Sequence, residues 1–73
     1  MGHVVVEFRE ARIVLIDDKT QGPNKDLNGE YFVLGIEDGL HTFSLQGGNC
    51  TPPSQDVVVR YTSAQAPLHV IFT

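Results

Sequence analysis

Apolar side chains recur at every second position in the first nine residues of the chain, and the same alternation returns in three later segments. A period of two is typical of a strand that buries one face. No segment has apolar residues at spacings of three and four over a useful length, so no helix is predicted. The pattern predicts six strands, at residues 4–9, 12–16, 31–36, 40–45, 56–61 and 68–73.

Turn-forming residues separate these segments. Residues 17–26 are rich in Asp, Asn, Gly and Pro and are predicted to form a loop, and Asn28-Gly29 predicts a tight turn because both residues tolerate positive φ. Pro52-Pro53 holds a later connection extended. Short strands at this spacing predict an all-β fold: a small antiparallel β-sandwich of six or seven strands, immunoglobulin-like or prealbumin-like, with no significant helix.

Alternation within each strand also predicts which side chains are buried. Residues 12–16 are apolar at both parities, as expected for a central strand that is covered on both faces. The predicted core consists of Val4, Val6, Phe8, Ile13, Leu15, Phe43, Leu45, Val57, Val59, Leu68, Val70 and Phe72.

The chain has 73 residues, which corresponds to one domain, residues 1–73. A domain of this size buries only about 60% of the surface that its unfolded chain exposes, which leaves little room for a deep substrate cavity. Both ends of the sequence lie within strand-like patterns, so we expect a domain excised from a longer protein. As an isolated domain it is expected to be monomeric.

Charge excludes two classes of partner. Five Lys and Arg residues against nine Asp and Glu residues give a formal net charge of −4. Nucleic-acid binding requires a basic surface, and so does a polybasic membrane anchor. No stretch approaches the roughly 20 apolar residues of a membrane-spanning helix, so membrane insertion is not expected. The single cysteine, Cys50, excludes an intrachain disulfide.

The order of these signals resembles a known group of domains. An apolar strand runs into Asp17-Asp18, and a later turn carries Gly39-Leu40-His41 followed by Phe43 and Leu45. This resembles PEGA-type domains and, more broadly, carboxypeptidase-regulatory-like or transthyretin-like sandwiches. Asp17-Asp18 stands where these domains have an Asp-Gly turn, and the Pro-Glu-Gly-Ala segment is absent. The resemblance implies a non-catalytic accessory domain of a larger bacterial protein, extracytoplasmic or at the cell envelope.

The three histidines are the first candidates for metal ligands. His41 shares the parity of Phe43 and is predicted to point inward, whereas His3 and His69 are predicted to point outward. Zinc requires three or four ligands that converge on one point, so no metal site is expected.

Oxygen-rich side chains between residues 17 and 30 are the candidates for calcium. Within it, Asp26-Leu27-Asn28-Gly29-Glu30 faintly resembles the start of a calcium loop, but it lacks the third acidic position and the distal bidentate glutamate. We therefore expect a solvated loop rather than a calcium site. The residues concerned are Asp17, Asp18, Asp26, Asn28 and Glu30.

Catalytic chemistry has one formal candidate, a nucleophile–base pair of Cys50 and His41. No signature of a cysteine enzyme flanks Cys50, and no helix N-terminus is predicted that would lower the pKa of its thiol. The sequence predicts no catalytic residue, no cofactor and no enzymatic activity.

Gly39, His41 and Phe43 are instead predicted to have a structural role in the turn and the core. A buried imidazole must hydrogen-bond, so one ring nitrogen of His41 is expected to meet a backbone carbonyl or a loop side chain. Desolvation favours the neutral ring unless Glu37 or Asp38 lies close enough to hold the proton.

Tyr31 and Tyr61 are the candidates for a binding surface, because an exposed ring on a sheet can stack on a sugar or anchor a protein partner. The predicted function is an interaction or spacer domain, and the alternative is a carbohydrate-binding module attached to an enzyme. Two or more coplanar exposed aromatic rings would favour a glycan partner. A flat apolar patch with few aromatic residues would favour a protein partner.

Overall fold

The computed structural model describes all 73 residues and contains seven strands and no helix, which confirms the all-β prediction. The strands are β1 (Gly2–Glu7), β2 (Ile13–Ile16), β3 (Lys19–Pro23), β4 (Leu34–Ile36), β5 (Gly39–Leu45), β6 (Ser54–Val59) and β7 (Leu68–Ile71).

The strands form two sheets. The three-stranded sheet has the order β4-β1-β7, and the four-stranded sheet has the order β3-β2-β5-β6. All pairings are antiparallel except that of β1 with β7, which is parallel and places Val4 beside Leu68 and Val6 beside Val70. The prediction of a purely antiparallel fold is therefore wrong for this pair. Alternation within a strand carries no information on the direction of its neighbour.

One hydrophobic cluster lies in the interior and draws on both sheets. Phe8 and Phe43 are its largest fully buried side chains. Eight of the predicted core residues are buried: Val4, Val6, Phe8, Phe43, Leu45, Val59, Val70 and Phe72.

The prediction of which β2 side chains face the core is wrong. Val14 lies opposite Leu45 and Ile16 lies opposite Phe43, and these residues of β2 are buried. Ile13 and Leu15, which were expected in the core, are only half-buried. Because this segment is apolar at both parities, only the register with β5 decides which residues face inward.

Two further predicted core residues, Val57 and Leu68, are half-buried and pack against the cluster from its margin. Both belong to strands at the edge of their sheets, where one flank has no neighbouring strand. Val5 shows the opposite departure, because it is buried although it lies on the outer face of β1.

The predicted loop at residues 17–26 contains the strand β3. Asp17 and Asp18 have φ values of 54° and 65°, and both residues lie between β2 and β3 in a two-residue hairpin turn. Aspartate is one of the few residues other than glycine that adopt the left-handed region readily. β3 carries no apolar alternation, because it is an exposed edge strand.

The Asn28-Gly29 turn is present in a different form from the one predicted. Only Gly29 has a positive φ, and its main-chain nitrogen donates to the carbonyl of Asp26 at 3.1 Å. The strand that follows is also shorter than expected. Tyr31 makes only an isolated bridge with Lys25, and β4 begins three residues later.

Candidate interaction surface

His41 lies near the start of β5 and connects two turns. Its Nδ1 lies 2.6 Å from Oδ2 of Asp17 in the β2–β3 turn, and its Nε2 lies 2.7 Å from the carbonyl oxygen of Glu37 before β5. The other carboxylate oxygen of Asp17 accepts a hydrogen bond from the main-chain nitrogen of Thr42 at 3.0 Å. The imidazole is 13% exposed. The ring therefore holds the β4–β5 turn, which joins the two sheets, against the β2–β3 turn.

The geometry of this contact indicates the charge of His41. Both ring nitrogens face acceptors, and only the doubly protonated imidazolium can donate to both. The hydrogen bond to Asp17 raises the pKa of His41, desolvation opposes it, and the carbonyl of Glu37 adds to the rise. The pKa of Asp17 is lowered, first by the Thr42 main-chain hydrogen bond and then by His41. Asp17 is thus the main group that favours the protonated form of His41, the charge of Glu37 adds a smaller contribution, and Asp38 makes none.

The other two residues of the predicted structural element flank this contact. Gly39 has a φ of +130°, a conformation that residues with a side chain rarely adopt. Phe43 is fully buried and lies opposite Ile16 of β2. Residues 39–43 therefore begin in a glycine turn, continue through the His41 contact with Asp17 and end in the hydrophobic core.

Tyr31 and Tyr61 lie at opposite ends of the molecule and do not share a surface. The Tyr31 hydroxyl donates to the carbonyl of Phe8 at 3.1 Å, beyond the C-terminal end of β1. Tyr61 follows β6, whose last residue, Val59, packs beside Gly2 at the N-terminal end of β1. Tyr61 is 93% exposed and has a φ of 58°, an outlier for a bulky residue.

An exposed apolar pair near Tyr61 was not predicted from the sequence. Leu40 of β5 and Val58 of β6 are direct cross-strand partners on the outer face of the four-stranded sheet. They are 67% and 50% exposed. The signal was present in the sequence, because Leu40 and Val58 are the apolar members of the parity opposite to the core residues of their strands. We call the surface formed by Leu40, Val58, Arg60 and Tyr61 the β5–β6 patch.

The β5–β6 patch borders an open edge of the sheet. β6 pairs with β5 on one side only, and its main chain makes no other hydrogen bond. The next pair along the same face is polar, and Thr42 Oγ1 donates to Asp56 Oδ1 at 2.7 Å. The patch thus combines exposed apolar side chains with unpaired main-chain donors and acceptors.

The remaining histidines lie apart from His41. Nδ1 of His69 lies 2.7 Å from Oε2 of Glu7 on the neighbouring strand. The main-chain nitrogen of His3 donates to Thr62 Oγ1, and its Nδ1 is buried without a hydrogen-bond partner. The structure contains no group of three His, Cys, Asp or Glu side chains that could hold a metal ion.

Two of the five calcium candidates, Asp17 and Asp26, have side chains that hydrogen-bond within the chain. Both oxygens of Asp17 are engaged by His41 and Thr42, and Oδ1 of Asp26 accepts hydrogen bonds from the main-chain nitrogens of Asn28 and Glu30. These carboxylates stabilise turns rather than converge on one point.

The formal nucleophile–base pair is not formed. Cys50 is buried in the hydrophobic cluster, and both ring nitrogens of His41 already have partners.

Asn24 is a structural residue that the sequence pattern does not predict. It is fully buried, its Oδ1 accepts from the main-chain nitrogen of Arg12 at 2.8 Å, and its Nδ2 donates to the carbonyls of Val6 and Glu10. Its main-chain oxygen accepts from Phe32. This one side chain therefore fixes the β1–β2 connection to the end of β3. An Asn after Pro in a polar segment gives no sign of burial.

The surface carries no pocket. No helix in the structure could cross a membrane. No family model, no curated protein and no solved structure matches the chain.

Proposed function

We propose that this domain is a non-catalytic protein-interaction module whose contact surface is the β5–β6 patch. We also infer that its two sheets form a β-sandwich of the prealbumin-like kind, as expected from the PEGA-like resemblance. The shared hydrophobic cluster supports this arrangement of the sheets. The same resemblance supports a role as an accessory part of a larger bacterial protein.

The exposed Leu40–Val58 pair carries the proposal. Single exposed apolar residues are common on protein surfaces, but Leu40 and Val58 are directly paired across two strands, and the exposed Tyr61 follows Val58 by three residues. Tyr61 holds its ring outward from a left-handed backbone position, and such a conformation has an energetic cost. Tyrosine and arginine are also the residues most often found at the energetic centre of protein interfaces, and Arg60 adjoins Tyr61.

The geometry supports a protein partner better than a glycan. A carbohydrate-binding surface of the expected kind needs coplanar aromatic rings, and Tyr31 and Tyr61 lie at opposite ends of β1. The patch has a single aromatic ring beside Leu40, Val58 and Arg60, a composition that favours a protein partner.

Site-specific photo-crosslinking tests this function in cells that express the parent protein. Val58→p-benzoylphenylalanine places a reactive group in the patch, and Thr20→p-benzoylphenylalanine places one on β3 of the same sheet as a matched exposed control. We expect a discrete protein adduct from position 58 and none from position 20. The adduct from position 58 is expected to disappear when Leu40→Ser is added.

Equal adducts from both positions, or none from either, would contradict a protein-binding role for the patch. Mass spectrometry of the adduct identifies the partner and distinguishes a second copy of the chain from another protein.

A further inference from the structure

The two edges of the four-stranded sheet differ in their protection against further strand pairing. The β3 edge carries Lys19, Gly22 and Pro23 and has an irregular register with β2 between Val14 and Leu15. Lysine, proline and bulges are features that discourage another strand from adding to an edge.

The β6 edge has none of these features. Its six residues, Ser54–Val59, contain no Pro, Gly or Lys and pair with β5 in continuous register. The outer main-chain groups of β6 have no hydrogen-bond partner in the chain. An open edge of this kind can pair with another strand.

The charged residues on the outer face of β6 indicate which strand can pair with this edge. Asp56, Val58 and Arg60 share one parity, so all three are expected on the outer face of β6 and its extension. Arg60 makes no hydrogen bond or ion pair within the chain. Its guanidinium carbon lies 5.6 Å from the centre of the Tyr61 ring. Asp56 and Arg60 thus lie two residues before and two residues after the exposed Val58, and Arg60 has no partner for its charge.

This symmetry matches an antiparallel pairing of β6 with β6 of a second copy. With Val58 opposite Val58, a two-fold axis passes through the valine pair, and Asp56 of each copy faces Arg60 of the other. The apolar stripe then runs without interruption from Leu40 through both valines to the second Leu40. Centring the pair on Asp56 instead would place two carboxylates opposite each other, which is unfavourable.

We propose that two copies of this domain associate through their β6 edges in this register and form one continuous eight-stranded sheet. The inference rests on the proposed use of the β5–β6 patch as a contact surface, and it replaces the expectation of a monomer. The contact is isologous, so it closes after two copies and does not propagate into a fibre. A single strand pair is a small interface, so the dimer is weak and concentration-dependent.

Sedimentation velocity over a concentration series from about 10 μM to about 1 mM tests the association. We expect the sedimentation coefficient of the parent domain to rise from the monomer toward the dimer value. Arg60→Asp places two aspartate pairs across the axis and is expected to raise the dissociation constant by about tenfold or more. Asp56→Arg places two arginine pairs there and is expected to have a similar effect.

The double variant Asp56→Arg/Arg60→Asp restores opposite charges at both positions, and we expect it to dimerise again. Thr20→Lys on the β3 edge is the matched control and is expected to leave association unchanged. Circular dichroism and thermal melts confirm that each variant is folded. Isotope-filtered nuclear Overhauser effects between Val58 methyl groups of differently labelled copies report the register directly.

A parent domain that remains monomeric over the whole series overturns the inference. So does a dimer that is insensitive to both single charge reversals. Photo-crosslinking from position 58 is a separate readout, because mass spectrometry of the adduct shows whether the patch contacts a second copy of the chain or a different protein. Failure of the dimer and failure of the proposed function are therefore separate observations.

Discussion

Asp17 and His41 are 24 residues apart in the sequence and only 2.6 Å apart in the structure. The contact exists because Ile16 pairs with Phe43, so the turn after β2 lies beside the first half of β5. Asp17 also bonds the main chain of Thr42, which fixes the carboxylate independently of the ring. The turn therefore holds in place the carboxylate that raises the pKa of His41.

The stability of the domain is expected to depend on pH through this pair. The pKa of His41 is raised above 6.5, so its contribution is fully present below pH 6.5 and is lost as the pH rises through the folded-state pKa. The pKa of Asp17 is lowered below 3.8, so its contribution is present above pH 3.8 and is lost as the pH falls through the folded-state pKa. The contribution of the pair is greatest between these two values. Thermal melts across this range and an NMR titration of the imidazole measure both effects.

Asp17→Asn removes the negative charge of this contact and keeps a side chain of nearly the same size and shape. We expect the pKa of His41 to fall toward 6.5 in this variant, and the loss of stability above that pH to become shallower. Asp18→Asn, in the same turn but without a bond to His41, is the matched control. An unchanged His41 titration in the Asp17 variant would show that the ring takes its charge from elsewhere.

Phe43 is expected to be the most costly side chain to remove from the core. Phe43→Ala should destabilise the domain by about 3–5 kcal/mol, which is comparable with the whole stability of a small domain. Leu40→Ala, three residues earlier on the outer face, should change stability by about 0.5 kcal/mol or less. Chemical denaturation followed by circular dichroism measures both variants. Similar midpoints for the two would contradict the assignment of Phe43 to the core.

Asn24 is expected to be as important for stability as a large core residue, although it is polar. Asn24→Ala removes the partners of the Arg12 main-chain nitrogen and of two carbonyls, and each buried group left unsatisfied costs about 1–3 kcal/mol. Asn28→Ala in the exposed turn is the control and should have little effect. Urea midpoints compare the two, and hydrogen exchange at the Arg12 amide reports the loss locally. Retention of slow exchange at Arg12 in the Asn24 variant would contradict this role.

Tyr61 is expected to stabilise binding rather than the fold. Its left-handed backbone costs about 1 kcal/mol or more for a residue with a side chain, so Tyr61→Gly should raise the melting temperature by a few °C or leave it unchanged. Arg60→Gly, where φ is not positive, should not stabilise. Differential scanning calorimetry of the two variants measures the difference. A marked fall in melting temperature for Tyr61→Gly would show that the ring packs within the domain.

Local patterns in the sequence predict most of the strands but little of their pairing. Alternation identifies β1, β5, β6 and β7, although β1 buries Val5 as well as Val4 and Val6. β3 is missed because it lies exposed at the sheet edge and buries no face. The inward face of β2 and the parallel direction of β7 depend on neighbours that alternation does not specify.

In the candidate site, too, local patterns predict single residues, whereas contacts between residues depend on strand pairing. The role of His41 as a turn-binding residue is predicted from its parity and its place after Gly39, but its partner Asp17 depends on the β2–β5 register. The Leu40–Val58 pair likewise requires the β5–β6 register before two separate exposed residues become one surface. Asn24 has no local signal, because its bonds reach main-chain groups on three other segments.

The parallel pairing of β1 with β7 also has a consequence for the order in which the chain folds. The four-stranded sheet is complete once residue 59 is available, because all four of its strands lie between residues 13 and 59. β1 gains its parallel neighbour only when residues 68–71 can reach it, and this contact closes nearly the whole length of the chain. Contacts of such high sequence separation form slowly. On a ribosome, the side of β1 that pairs with β7 would therefore stay open until residues 68–71 have emerged, which leaves this side of β1 exposed to chaperones and to mispairing for longer than the four-stranded sheet.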